Sequence, residues 1–310
     1  MQEDKAPKVS VCITTYNHEK FIRETIDSVL AQETNFDYEL VISDDASTDK
    51  TPEILKGYKQ AYPDKIHLIL NRINIGAIKN FNQALKGCKG EYIAILDGDD
   101  RMLPGKLQKQ VDALDSHSMC VMCAHDTRVF NSDTNKTIRL YKTSKKKDIF
   151  NLADLLNVLS LFAFSSLMFR RIAAPPQGID ENIKQIGDIY LNVYLARQGN
   201  IIYLHEVLGE YRVHSNSLMH KAKGKSYFND MAITLNMART NLSDDLKGKL
   251  NKWEAYAYLY KGIEELENGE KNLARKDILF SLKKKIYTKG QFFYLLLSFM
   301  PRTLLAFLKK

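Results

Sequence analysis

The sequence predicts an α/β chain: a mostly parallel central sheet flanked by helices, followed by an all-helical C-terminal extension. Three observations carry this expectation. Between residues 8 and 125, short β-branched runs alternate with amphipathic helical segments, and strands separated by helices imply right-handed crossovers and parallel pairing. Two of those strands end in acidic clusters, Asp44-Asp45 and Asp97-Gly98-Asp99-Asp100. From Ser226 onward the apolar spacing is helical.

In chain order, residues 9–15 are β-branched and are broken by Tyr16-Asn17-His18. Phe21, Ile22, Ile26, Val29 and Leu30 then recur at helical spacing. Residues 38–43 read as a second strand, and Thr51-Pro52 opens a helix, proline being tolerated in a first turn. A third strand over 65–71, a helix over 76–86 and a fourth strand over 91–96 follow. A helix from Pro104 to about Leu114 and a fifth strand over 119–124 complete the alternation. Beyond it, 139–148 reads as a Lys-rich loop, 152–164 as an apolar helix, 165–170 as a strand and 173–178 as a Pro-containing loop. Residues 189–197 read as a helix, and 201–204 and 208–214 as two strands. Leu246, Leu250, Trp253, Ala257 and Tyr260 form one apolar stripe, with another helix after Gly269. The expected parts are 1–125, 126–220 and a helical extension over 221–310.

A chain of 310 residues with 45% hydrophobic and 10% aromatic content is neither disordered nor collagen-like. The start, MQEDKAPK, lacks the apolar core of a secretory signal, and no run reaches the ~18 apolar residues of a membrane span. The four cysteines then read as free thiols in the reducing cytoplasm. Cys120 and Cys123 have no second pair to complete a zinc site. The net charge of +8 sits entirely in residues 275–310, where nine basic residues face one acid, Asp277. There the apolar run FFYLLLSFM adjoins lysines. Two readings stand: an interfacial anchor on the anionic inner face of the cell membrane, or an amphipathic helix packed on the rest of the chain. Nucleic acid is not an expected partner, because the aromatics lie among leucines rather than between basic residues.

The acidic turn Asp97-Gly98-Asp99-Asp100 concentrates like charges at a strand tip, where ligands of parallel sheets collect. A hard divalent cation, Mg²⁺ or Mn²⁺, takes one or two carboxylates and completes its shell with phosphate and water. The string lacks the later ligands of an EF-hand, and the chain has neither a P-loop nor a G-x-G-x-x-G fingerprint. A solvated Asp/Gly turn is the alternative. Asp188 opens a helix and reads equally as a capping carboxylate.

The runs VSVCITTYNHEKFIRETIDSVLAQ, ELVISDDASTDKT and NIGAIKNFNQALKGCKGEYIAILDGDD closely resemble the family 2 glycosyltransferases of the GT-A fold. IGDIYLNVYLARQG and EVLGEYRVHSNS resemble later landmarks of that family. The resemblance spans about residues 8–220 and implies a metal-dependent, inverting transfer from a nucleotide-sugar donor, UDP-linked, to a saccharide hydroxyl in surface polysaccharide synthesis. By motif position it implies that Thr14 and Asp45, with Tyr16 beside them, serve the nucleotide and that Asp97 meets the ribose. Lys79, Asn80 and Asn82, after Gly76, read either as lining the nucleotide-donor pocket or as solvent-facing helix residues. Asp99 would bind the metal, Asp188 act as general base, and His214 with Arg212 lie near the diphosphate. A lipid-linked saccharide acceptor would suit a membrane-bound tail. One departure stands out: Arg101-Met102-Leu103 replaces the aromatic pair that many relatives carry after the acidic turn. Two other functions remain in view, a sugar-phosphate nucleotidyltransferase and a non-catalytic nucleotide-sugar-binding protein. The first would want a basic Gly-rich loop after the first strand, which TTYNHEK does not supply.

Overall fold

The computed structural model describes residues 6–144, 146–214, 225–239, 243–286 and 288–299. The chain forms two compact units, Met1–Glu181 with Gly187–Ser217, and Asn182–Ile186 with Leu218–Lys310. The first unit is built on β1 (Val9–Thr15), β2 (Tyr38–Asp44), β3 (Ile66–Leu70) and β4 (Tyr92–Asp97), all parallel. Three helices make the crossovers: α1 (Ile22–Leu30), α2 (Thr51–Ala61) and α3 (Ala77–Gly87). α1 turns Ile22, Thr25, Ile26 and Val29 inward, which is the helical repeat read from the sequence. Val9, Val11 and Ile13 of β1 and Leu40 and Ile42 of β2 are fully buried in the same core. Parallel strands covered on both faces read as near-continuous apolar runs for this reason.

The remaining elements of this unit extend the sheet in the order β3-β2-β1-β4-β9-β6-β10-β5. After β5 (Arg101–Met102) and α4 (Lys106–Ser116), β6 (Cys120–Asn131) is twice the length expected for the fifth strand. Its partner β7 (Thr137–Tyr141) is antiparallel and occupies part of the segment expected to be loop. β7 is exposed along most of its length, so its side chains carry no burial signal to read. β8 (Ile149–Phe150) pairs with β10. α5 (Leu152–Val158) is shorter than expected, ending where Leu159 turns to φ 55°. The strand expected over 165–170 is a 3₁₀ turn at Phe164–Ser166 followed by β9 (Met168–Arg170), antiparallel to β4 and β6. After α6 (Gly187–Ala196), the two late strands are one, β10 (Asn200–Val213), interrupted by irregularities between Leu204 and Gly209. Such bulges break the two-residue alternation that marks a strand. All four cysteines are free and buried.

The second unit contains α7 (Lys225–Ala238), α8 (Asp244–Glu267), α9 (Lys271–Lys284) and α10 (Gly290–Leu297). α8 and α9 pack through Leu259, Leu266, Ala274 and Ile278, with Leu297 of α10 joining them. Of the stripe read on α8, Leu250 and Ala257 are buried while Tyr260 is exposed. Asp230 of α7 accepts backbone N–H bonds from Lys184, Gln185 and Ile186, tying 182–186 to the helices. Among the described residues no helix is long and apolar enough to cross a membrane.

Candidate active site

Parallel register sets Thr14 of β1 beside Ser43 of β2 and beside Asp97 of β4. The carboxyl ends of three neighbouring strands therefore share one edge. The loops leaving β1 and β2 are laced together there. Asn17 Oδ1 accepts from Thr48 N–H, Ser47 Oγ accepts from Asn17 N–H, and Thr51 Oγ1 accepts from His18 N–H, all within 2.9 Å. Asp49 accepts from Glu19 N–H at 3.0 Å, and Glu19 accepts from Lys50 N–H at 3.0 Å. Asn17 and Ala46 make the sharp bends, at φ 55° and 58°. Asp45, 4% exposed, accepts from Ile75 N–H at 2.8 Å and from Gly76 N–H at 3.0 Å, fixing the entry to α3. Gly76 itself sits at φ 90°, a conformation that favours glycine. Tyr16 projects from the edge, 44% exposed, and Lys79 on α3 pairs with Glu181 at 3.6 Å, both exposed.

The turn after β4 is closely built. Gly98 N–H donates to Thr14 O at 2.9 Å, and Asp100 N–H to Asp97 O at 3.0 Å. A Cβ at Gly98 would lie 2.8 Å from Thr15 Cβ and 2.9 Å from Thr14 O, so only glycine fits between the two acids. His214 Nε2 lies 3.0 Å from Asp99 Oδ2, and the ring packs on Phe21 at 4.7 Å. Burial works against the Asp99 charge, but the His214 hydrogen bond and the neighbouring His18 and His214 outweigh it and hold the carboxyl below its ordinary range. At Asp97, burial and then the charges of Asp99 and Asp188 outweigh the opposing Lys106 and push the carboxyl up to about 7. Asp100 is driven up by burial and by both neighbours.

Arg212 is buried, and its guanidinium lies over the rings of Phe21 and Phe130, 4.9 and 4.8 Å from their centroids. Its Nε donates to Asp99 O at 2.7 Å and its Nη2 to Glu24 at 2.7 Å, while its backbone N–H donates to Asp100 Oδ1 at 2.9 Å. The described contacts thus tie Arg212 to the backbone of the acidic turn. Arg101, at the departure from the usual aromatic pair, bridges Glu24 at 2.9 Å and Glu210 at 2.7 Å and stacks on Phe130. Asp188 lies in the first turn of α6. Burial raises its pKa, against the backbone N–H bonds of Ile189 and of Asp188 itself. Its charge contributes to the raised pKa of Asp97, and it comes from an element separate from the acidic turn. Burial, then the charges of Asp100, Asp97, Asp99 and Asp188, push the Tyr211 phenol well above its ordinary range.

Asn80 and Asn82, which the sequence reads as either donor-pocket or solvent-facing residues, are both buried: Asn80 exchanges hydrogen bonds with Ser43, and Asn82 clamps the backbone of Ile179. The sequence reading did not single out Lys106, which is fully buried at the start of α4. A signal existed: Lys106 and Gln110 fall on the same helical face as Leu107, Val111 and Leu114, where a charge is costly.

The carboxylates of this turn suit a hard divalent cation, with Asp99 as the oxygen donor and an imidazole at hand. Buried Thr15 Oγ1 and His18 Nδ1, both against Gly98, have no hydrogen-bond partner. Among the described residues no group of three acidic, histidine or cysteine side chains is arranged to hold a metal alone. A cation here needs oxygens from a substrate, which fits an ion that binds with a diphosphate.

The comparisons with known proteins agree with this architecture. The profile of glycosyl transferase family 2 matches residues 10–174. An uncharacterized protein of Mycobacterium tuberculosis (strain ATCC 25618 / H37Rv) is 37% identical over 215 residues, 69% of this chain, which spans 61% of that relative's length. An uncharacterized glycosyltransferase of Nostoc sp. is 31% identical over 272 residues, covering 79% of this chain and 82% of its own. TuaG of Bacillus subtilis, named for teichuronic acid biosynthesis, is 30% identical over 226 residues, 72% of this chain and 86% of its own. Among solved structures, S. aureus TarS 1–349 superposes with a TM-score of 0.69 at 17% identity, covering 89% of this chain and 80% of its own. Mannosyltransferase PcManGT from Pyrobaculum calidifontis, solved with GDP-Man and Mn²⁺, has a TM-score of 0.56 at 18% identity, covering 95% and 85%. At such identities the structural likeness speaks for the fold alone. With the profile and the relatives in agreement, the chain belongs to glycosyl transferase family 2 and has the GT-A fold.

Proposed function

We propose that this chain is an inverting glycosyltransferase that moves a sugar from a nucleoside-diphosphate donor, UDP-linked, to a hydroxyl of a saccharide acceptor. One observation carries the reading: two recessed carboxylates, Asp97 and Asp99, share a strand edge with Thr14 and Asp45. Asp188, in the first turn of α6, is the candidate base on a separate element. Thr14, Tyr16 and Asp45 receive the nucleobase, Lys79 lies on the nucleotide side, and Asp97 meets the ribose. Asp99 would hold the divalent cation, with His214 beside it; when bound, Mg²⁺ or Mn²⁺ supplies Lewis-acid stabilisation of the leaving diphosphate. Asp188 takes the proton of the acceptor hydroxyl as that oxygen attacks the anomeric carbon. A raised pKa makes it a better base than a surface aspartate. Arg212 acts on the diphosphate side by fixing the Asp99 backbone.

Residues 1–125 form the donor half and 126–220 the acceptor half in this reading, with 221–310 as an extension. The relative named for teichuronic acid biosynthesis and the UDP-GlcNAc complex of S. aureus TarS support a nucleotide-sugar donor and a surface polysaccharide product. A lipid-linked saccharide acceptor fits the basic C-terminal region, where Phe292, Phe293 and Leu296 of α10 are exposed near Lys285 and Lys289. Residues 300–310 of that region lie outside the described residues. Differential scanning fluorimetry against a panel of nucleotide sugars, with and without Mn²⁺, tests the proposal. A metal-dependent melting shift with one donor class supports it; no shift with any donor would refute it.

A further inference from the structure

Asp100 and Lys106 are spent on neither nucleotide nor proton transfer in the reading above, yet both are fully buried. The side chain of Asp100 is shared between two distant segments. Its Oδ1 accepts from Arg212 N–H of β10 at 2.9 Å, and its Oδ2 accepts from the hydroxyl of Ser165 in the 3₁₀ turn before β9. The carbonyl of the same Ser165 accepts from Lys106 Nζ. Ser165 is thus a bridge, with its hydroxyl on the carboxylate and its carbonyl on the ammonium. On the other side of the turn, Arg212 Nε holds Asp99 O at 2.7 Å, and Asp100 N–H closes on Asp97 O at 3.0 Å. Beside the bonds of Gly98 to Thr14 and Thr25, the turn that places Asp97 and Asp99 is thus tied, through Asp100 and Arg212, to this buried chain.

We propose that Asp100, Ser165 and Lys106 form a buried positioning chain: the Asp100 carboxyl and the Lys106 amine, bridged by Ser165, set the Asp97–Asp99 turn for a divalent cation and diphosphate. None of the three is assigned a contact with the ligand. They are positioning residues, and the inference rests on the nucleotide-sugar reading of the same edge. A buried polar or charged group left without its partner is far costlier than a matched pair. Removing one member should therefore disturb the turn, whereas replacing both by neutral groups of like shape should restore it. Asparagine at position 100 can still accept from Arg212 N–H while its amide meets Ser165 Oγ.

The test is a titration of Mn²⁺ in the presence of UDP, followed by the electron paramagnetic resonance of free Mn²⁺, with the melting temperature of the metal-free protein measured in parallel. Lys106→Met should raise the Mn²⁺ half-saturation at least tenfold, and adding Asp100→Asn should bring it back to within about threefold of the parent. A packing role alone would move the melting temperature and leave the half-saturation unchanged. A Lys106→Met protein whose half-saturation stays within twofold of the parent would overturn the proposal. If that variant does not fold, the double variant decides: near-parental binding supports the pair, and a folded double variant with tenfold weaker binding refutes it. Should the parent chain itself take up no Mn²⁺ with UDP, it is the nucleotide-sugar reading that fails.

Discussion

The two acidic strand ends look alike in sequence and differ in physical state. At the tip of β2, Asp44 accepts from Ser47 and Asp45 accepts from Ile75 and Gly76, so both carboxylates have the protein's own N–H groups as partners, although burial and the charges of Asp49 and Asp45 still raise Asp44. At the tip of β4, Asp97 faces the charges of Asp99 and Asp188 and is pushed up to about 7, with burial as the main cause. A carboxylate that caps a loop contributes to the fold. One held near like charges in a recess is costly until a cation or proton arrives. The contrast separates a part of the edge that fixes its loops from a part that concentrates charge.

The largest effect should come from the charged end. Asp99→Ala is expected to abolish divalent-dependent UDP binding, read by calorimetry, with the fold kept by circular dichroism. Next is Asp188→Asn, which should leave UDP binding unchanged and lower turnover by roughly 10²–10⁴. A proposed base at Asp188 acts in its ionised form, and its pKa is raised, so turnover of the parent should fall as the pH drops, with a midpoint above that of an ordinary aspartate. A pH–rate profile for kcat that stays flat through that range would remove Asp188 as base.

Smaller effects test the satisfied end and the seam between them. Gly98→Ala forces a Cβ against Thr14 O and Thr15, an overpacking cost of about 1–3 kcal/mol that urea unfolding would show. Asp45→Ala strips two backbone N–H groups of their acceptor and should cost about 1–2 kcal/mol, with UDP weakened but its metal dependence intact. If Asp45→Ala instead removed the metal dependence, the division between the two ends would be wrong. Deleting 288–310 should leave turnover on a soluble acceptor unchanged and reduce co-sedimentation with vesicles containing anionic lipid. Unchanged co-sedimentation would dismiss a membrane role for that segment.

Much of this was legible because it is local. The crossovers of β1 to β4 follow from β-branched runs and the spacing of Ile22, Ile26 and Val29, which respond to burial on a two-residue or helical period. The acidic tips were visible as clusters at the ends of those runs. What escaped is long-range. β7 is exposed and pairs only with β6, and β10 carries bulges that split it into two apparent strands. The Arg212 guanidinium meets Phe21, Phe130 and Glu24, partners far away in the chain that no motif spacing encodes. Lys106 shows both sides: its place on the inward face of α4 was readable, but its link to Asp100 through Ser165 needed the fold.

The most direct measurement is UDP binding by calorimetry with saturating Mn²⁺ and again with a chelator in its place. If the β4 turn holds a cation together with the diphosphate, chelation should weaken binding at least tenfold. Equal affinity in both conditions would contradict that account.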